Sequence, residues 1–175
     1  MNKTKRLTTL AMLIALYVVL SILTPIKLQN FKFTFEALPI LVGALLFGPL
    51  DGFIIGTVGS FIYQLLFSGY GLTVTTPLWI LPHAASGLLV GWYAKKTNFQ
   101  YSLQSVAVIA IMSALLVTAL NTLALYLDSK IFGYYSKALV FASLPVKILT
   151  GIILSVLFAL ILPELLKRVR KIINN

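Results

Sequence analysis

The chain has no cysteine among its 175 residues, four acidic residues and a single histidine. Without cysteine there is no disulfide, no thiolate metal centre and no thiol nucleophile. The few carboxylates form no pair, the histidine has no companion at metal-ligand spacing, and no glycine-lysine phosphate loop occurs. No nucleophile stands with a base, so neither a catalytic set nor a metal or cofactor site is expected. Charge as a whole is scarce, at 10% of residues against about a quarter in soluble domains. A soluble enzyme or ATPase domain is therefore excluded.

Apolar residues make up 59% of the chain and run almost without interruption from Leu7 to Leu166. This is the composition of a single integral membrane domain covering 1–175. The net charge of +10 would suggest nucleic acid in a soluble protein, but here lysine and arginine gather at the ends of apolar runs. That pattern marks membrane topology and a lipid bilayer as surroundings, with no nucleic acid. The first run follows Lys3, Lys5 and Arg6 as a signal peptide would. It is long and shows no small-residue cleavage pattern before Pro25, so it reads as a retained helix.

The expected fold is all-α, with six transmembrane helices near 7–25, 35–50, 51–68, 77–95, 104–127 and 138–166. The second and third are short and separated only by the turn signal Gly48-Pro-Leu-Asp-Gly52; a bent hairpin that does not fully cross is the alternative. With both termini cytoplasmic, nine basic residues fall inside (Lys3, Lys5, Arg6, Lys95, Lys96, Lys167, Arg168, Arg170, Lys171) and four outside (Lys27, Lys32, Lys130, Lys137). The excess supports that orientation.

The orientation sorts the polar residues by depth. Glu36 starts the second helix at its outer end, and Tyr63 and Gln64 end the third there. His83 lies about two turns into the fourth and Asn121 in the outer third of the fifth, at ~1.5 Å rise per residue. Lys147 is read as nearly three turns into the sixth. The inner halves carry only hydroxyls and small residues. An intramembrane charge normally faces the bundle interior or a water-filled cavity, so this asymmetry describes a pocket open to the outside.

Each residue also has a plainer reading. Lys147 serves a ligand or pairs with Glu36, and mid-helix placement makes snorkelling long. His83 and Asn121 read equally well as interhelical hydrogen-bonding groups. Trp92, beside Lys95, belongs to an interfacial aromatic belt, whereas Trp79 shares a face with His83. The segment Ser68–Pro77, with its glycines and Thr73, Thr75 and Thr76, is either a lid at the pocket mouth or an ordinary connection. Small pairs four apart, Gly52/Gly56 and Gly87/Gly91, permit close helix approach, and Ala11/Ala15 form a similar pair on the first helix.

Several of these segments carry a resemblance. Ala11-Met-Leu-Ile-Ala15, Phe31-Lys-Phe-Thr-Phe-Glu-Ala-Leu-Pro-Ile40 and Leu46-Phe-Gly-Pro-Leu-Asp-Gly52, within six spans, look like the substrate-binding S-components of energy-coupling factor (ECF) vitamin transporters. The similarity covers most of the chain and is closest to the folate and pantothenate group. It implies high-affinity capture of a vitamin from outside, docking on one transmembrane T-component and two cytoplasmic ATPases, and a prokaryotic plasma membrane. ATP hydrolysis then belongs to partner chains, and this chain is no enzyme. Ala11 and Ala15 would meet the T-component.

The resemblance also bears on the vitamin. Folate-binding members tend to carry an arginine near the first loop and a tryptophan soon after the helix 5 asparagine, whereas this chain has Lys27 and Lys32 and reads Asn121-Thr-Leu-Ala-Leu125. Thr75-Thr-Pro-Leu-Trp-Ile-Leu-Pro-His83 looks more like pantothenate members. The expected ligand is pantothenate, with Lys147 or His83 for its carboxylate and Asn121, Gln64 or Tyr63 for its amide and hydroxyls. Glu36, Thr75 and Trp79 complete the expected site. Folate is the alternative within the family; an autonomous proton-coupled transporter using His83 and Glu36 is the alternative outside it.

Overall fold

The computed structural model describes residues 3–23, 26–28, 31–33, 35–69 and 71–174, with side chains for all of these except 26–28, 31–33, 173 and 174. Helix α1 (Lys3–Leu23) leads into a short antiparallel hairpin, β1 (Ile26–Leu28) and β2 (Phe31–Phe33), with Lys27 opposite Lys32. Then come α2 (Ala37–Phe47), α3 (Pro49–Phe67), α4 (Thr76–Lys96) and α5 (Leu103–Ile131). The last rod is α6 (Lys137–Phe141) followed by α7 (Leu144–Asn174). Six helical rods thus form the bundle, as expected, but the hairpin qualifies the all-α reading. Thr34 and Tyr70, and the side chains of Lys27 and Lys32, lie outside what is described.

Four rods are long and apolar enough to cross a membrane: Lys3–Leu23, Pro49–Phe67, Leu103–Ile131 and Lys137–Ile172. α2 is not among them. Its 11 residues span only about 16 Å at 1.5 Å per residue, half of a bilayer core. Pro39 to Leu45 are all buried, because α1, α3, α4 and α7 surround α2 on every side. α2 is an inner helix sheathed by its neighbours. α4 has the length, but Pro77, Pro82, His83 and several small residues dilute its apolar character.

Local chemistry explains the boundaries. Gly48, at φ +98°, is the entire corner between α2 and α3, and Pro49 then opens α3, where its missing N–H costs nothing. The corner is therefore tighter than the five-residue turn signal implied. Ser102 and Ser105 cap α5 reciprocally. The expected sixth span, 138–166, is broken at Ala142-Ser143, with Pro145 just beyond. Lys147 consequently sits in the first turn of α7 rather than nearly three turns into a helix.

One end of the bundle collects the termini. Arg6 bonds Asp51 through Nε at 3.2 Å and Nη2 at 2.5 Å, joining α1 to the start of α3. Tyr101 donates to the Leu45 carbonyl at 2.7 Å, and Arg170 to the Phe99 carbonyl at 3.0 Å. Burial pushes the Tyr101 phenol up to about 12, against a smaller downward pull from Arg170. The opposite end carries the hairpin, Glu36, the α3–α4 loop and the α5–α6 turn.

α3 and α4 touch backbone to backbone. A Cβ on Gly52 would lie 2.5 Å from the Gly87 carbonyl oxygen, one on Gly87 2.1 Å from that of Gly52, and one on Gly91 2.3 Å from Pro49 Cα. Gly56 lies against the His83 carbonyl, 2.3 Å from where its Cβ would be. Both glycine pairs read from the sequence thus serve one interface, as close packing in lipid requires.

Gly56→Ala is expected to lower the thermal unfolding midpoint in detergent, with overpacking worth about 1–3 kcal/mol. Gly151→Ala, whose new carbon meets Ala114 Cβ at 3.4 Å, is expected to leave the midpoint unchanged or raised. Equal midpoints for the two variants would show that the α3–α4 contact is not limiting.

Candidate functional site

Three groups of polar side chains gather toward the hairpin end. The first joins α1, the start of α2 and α4. Tyr17 is 1% exposed and fits because position 59 is glycine, where a Cβ would sit 2.6 Å from its ring. Its ring meets His83 edge-on, with centroids 5.5 Å apart. His83 Nε2 stands 3.9 Å from Glu36 Oε1, and Ser21 donates to Glu36 Oε2 at 2.8 Å. At 3.9 Å the imidazole and carboxylate interact electrostatically rather than through a hydrogen bond. Tyr63 is half-buried against the core nearby, and Gln64, also half-buried, accepts from Ser68 Oγ through its backbone carbonyl at 2.6 Å.

The second group centres on Asp128, in the last turn of α5. Thr75 Oγ1 donates to its Oδ1, Tyr134 OH donates to its Oδ2, and Trp79 Nε1 approaches Oδ1 at 3.4 Å. Thr75 and Asp128 are buried, and Trp79 is half-buried. An ionised carboxylate only accepts, and here three donors from two segments meet it.

The third group lies along the α5–α7 seam. Ser155 donates to the Ala110 carbonyl at 3.1 Å, and Gly151 faces Ala114 and Thr118. These contacts fix an antiparallel register. One further turn of α7 brings Lys147 to the level of Thr118 to Thr122 on α5. Asn121 and Lys147 are both half-buried, and neither side chain makes a hydrogen bond or ion pair among the described residues. Ser143, one turn before Lys147, has a buried hydroxyl without a partner among the described residues. Next to this seam a hollow of about 290 Å³ is lined by Thr122, Leu123, Tyr126 and Phe141.

The structure therefore sorts the expected residues into separate groups. Glu36 and His83 come together, as do Thr75 and Trp79, while Asn121 and Lys147 share a seam. None of the eight lines the hollow. The Lys147–Glu36 pair is not formed: Lys147 has no ion pair among the described residues, and Glu36 meets His83 and Ser21. Ala11 and Ala15 face outward from α1, while Leu10, Leu13 and Tyr17 point into the core.

Sequence reasoning missed Asp128, Tyr17 and Ser21. Ending the fifth helix at 127 left Asp128 in a loop. Its rarity was the available signal, since only four acidic residues exist and each is engaged: Glu36, Asp51 with Arg6, Asp128, and Glu164 with Arg168 at 3.0 Å.

Four rods long and apolar enough to cross a membrane, with half-buried polar side chains toward the hairpin end, give the chain the length and composition of a multi-pass membrane protein. Residues 5–162 match the family described as the substrate-specific component of ECF transporters, and the chain belongs to that family. Comparison with curated proteins finds no match. Among solved structures, the bundle superposes on the S-component for biotin from an ECF-type ABC transporter with a TM-score of 0.72, at 19% identity over 94% of this chain and 92% of that one. FolT bound with folic acid gives 0.68 at 24% identity, covering 89% of each chain. A further bacterial ECF S component gives 0.67 at 24% identity, over 94% of this chain and 96% of that one. These likenesses confirm the fold.

Glu36→Ala removes the acceptor for Ser21 and the partner of His83, and is expected to destabilise by about 1–3 kcal/mol. Glu36→Gln keeps an acceptor and is expected to lose less. Indistinguishable unfolding midpoints for the two variants would show that the carboxylate does not organise this junction.

Proposed function

We propose that the chain captures pantothenate (vitamin B5) outside the cell and delivers it through an ATP-driven ECF complex. The observation that carries this reading is Lys147: a half-buried ammonium with no partner among the described residues, level with the half-buried Asn121. A cation held partly out of water without a counter-charge is costly, and an anionic ligand group would complete it. Pantothenate offers one carboxylate to Lys147, with His83 as the other candidate, and an amide and hydroxyls to Asn121, Gln64 or Tyr63. Thr75 and Trp79 lie at the mouth, and Glu36 orients His83.

In this reading both termini are cytoplasmic and the chain crosses a prokaryotic plasma membrane, which the nine-to-four distribution of basic residues favours. The outward face of α1 at Ala11 and Ala15 meets a transmembrane T-component, and two ATPases on partner chains supply the work. Small residues on an exposed helix face suit close approach by another helix in lipid.

Purified protein is expected to bind pantothenate saturably, and Lys147→Ala to weaken binding about 10- to 100-fold, the range of one hydrogen bond to a charged group. Tight folate binding with no saturable pantothenate binding would reverse the choice of vitamin. Unchanged affinity in Lys147→Ala would remove Lys147 from the site.

The 3.9 Å approach of His83 to Glu36 favours a second reading, an autonomous proton-coupled transporter in which the two titrate together. Uptake by the chain alone in vesicles under a proton gradient would establish it. Uptake that requires the ATPase partners would exclude it.

A further inference from the structure

The Asp128 group does more than fill a helix end. Thr75 and Trp79 belong to the start of α4, Asp128 to the end of α5, and Tyr134 to the following turn, so one carboxylate ties three segments. Among the described residues no cation shares it: Lys130, two residues on, places its ammonium 4.0 Å from the Tyr135 ring centroid and 5.9 Å from that of Tyr126. Among those residues the buried carboxylate is compensated by hydrogen-bond donors.

The segment it holds is braced internally. Thr73 Oγ1 bonds Thr75 Oγ1 at 2.9 Å, and the Thr73 amide donates to Thr76 Oγ1 at 2.8 Å, so residues 73–76 are cross-linked internally. Upstream, Gly69 at φ +84° and Gly71 at φ +64° have nothing within 4 Å of an added Cβ. Val74 is 79% exposed at the tip. Among the described residues, this end of α4 has no polar tie to α5 beyond the N–H and O–H groups that Thr75 and Trp79 present to Asp128.

We infer that Asp128 is a positioning residue that latches the Thr73–Trp79 segment across the hairpin end and so sets how fast a ligand enters and leaves. The ligand half of this statement rests on the binding role proposed above; the latch itself does not. Release of one carboxylate would free a pre-assembled unit with glycines behind it, and re-formation would close α4 onto α5.

Only two tryptophans are present, so in Trp92→Phe protein the emission comes from Trp79 alone. Without ligand, Asp128→Ala is expected to increase acrylamide quenching of Trp79 and shift its emission to the red. Asp128→Asn, which keeps one acceptor and serves as the conservative variant, should fall between. Thr75→Val, isosteric but without the donor, should move in the same direction. With pantothenate as probe, and folate in parallel, Asp128→Ala is expected to raise association and dissociation rates about tenfold each, as loss of hydrogen bonds to a charged group predicts, with a smaller change in Kd. Unchanged quenching in Asp128→Ala and Thr75→Val protein of normal helical content would overturn the latch. Increased quenching with unaltered exchange rates would overturn its control of exchange. If neither vitamin binds the parent protein, the ligand reading fails while the quenching result still decides the latch.

Discussion

Everything at the hairpin end depends on how closely α3 and α4 approach. Four glycines keep side chains out of the closest approaches along the seam, so the backbone of Gly56 rests on the carbonyl of His83 and Gly52 on that of Gly87. In lipid there is little hydrophobic force to draw helices together, and packing of this kind supplies dispersion contact instead. The seam fixes the height and rotation of α4. The imidazole of His83 is thereby aimed at Glu36, and Trp79, four residues earlier on the same face, at Asp128. Gly59 extends the principle to α1, since the space it leaves is filled by Tyr17.

A bundle so apolar must still accommodate its carboxylates, and it does so differently at its two ends. Asp51, 2% exposed, takes a bidentate arginine from α1. That geometry satisfies both oxygens and leaves a rigid corner. Toward the hairpin end Glu36 receives a hydroxyl and a more distant imidazole, and Asp128 receives neutral donors. Fixed ion pairing thus closes the end that holds the termini. The other end relies on hydrogen bonds that a ligand or a solvent molecule can replace one by one.

Much of this was legible in the sequence. Gly52/Gly56 and Gly87/Gly91 announce the seam, the shortage of charge the membrane, and the odd histidine a polar site. Gly48-Pro49 marks the corner. The breaks were less legible. Apolarity alone does not separate an 11-residue inner helix from a crossing helix, because both are buried in something apolar. The interruption at Ala142-Ser143 is hidden by residues that suit a helix equally well, and it moves Lys147 by almost two turns. Asp128 escaped because a hydropathy boundary ends where the first charge appears, although the helix itself continues to Ile131. Partners such as Thr75 for Asp128, 53 positions apart, are set by packing and leave no local signal.

The same packing limits how a ligand can pass. Between His83 and the Arg6–Asp51 corner, α3 and α4 are in backbone contact, with no width for water or a small molecule. On the other side of α4, Ser86 and Ser113 satisfy each other at 2.6 Å, and Phe158, Ala159, Leu162 and Leu166 fill the core below. Among the described residues no ionisable side chain bridges these regions. A proton relay needs a chain of groups that bind and release the proton, and these layers offer two paired hydroxyls, the Ser155 hydroxyl spent on the Ala110 carbonyl, and then hydrocarbon. The His83–Glu36 pair is therefore better suited to ordering one wall of a site than to conducting through the bundle. A ligand passes such a plug only if the helices rearrange, because no static path leads through it.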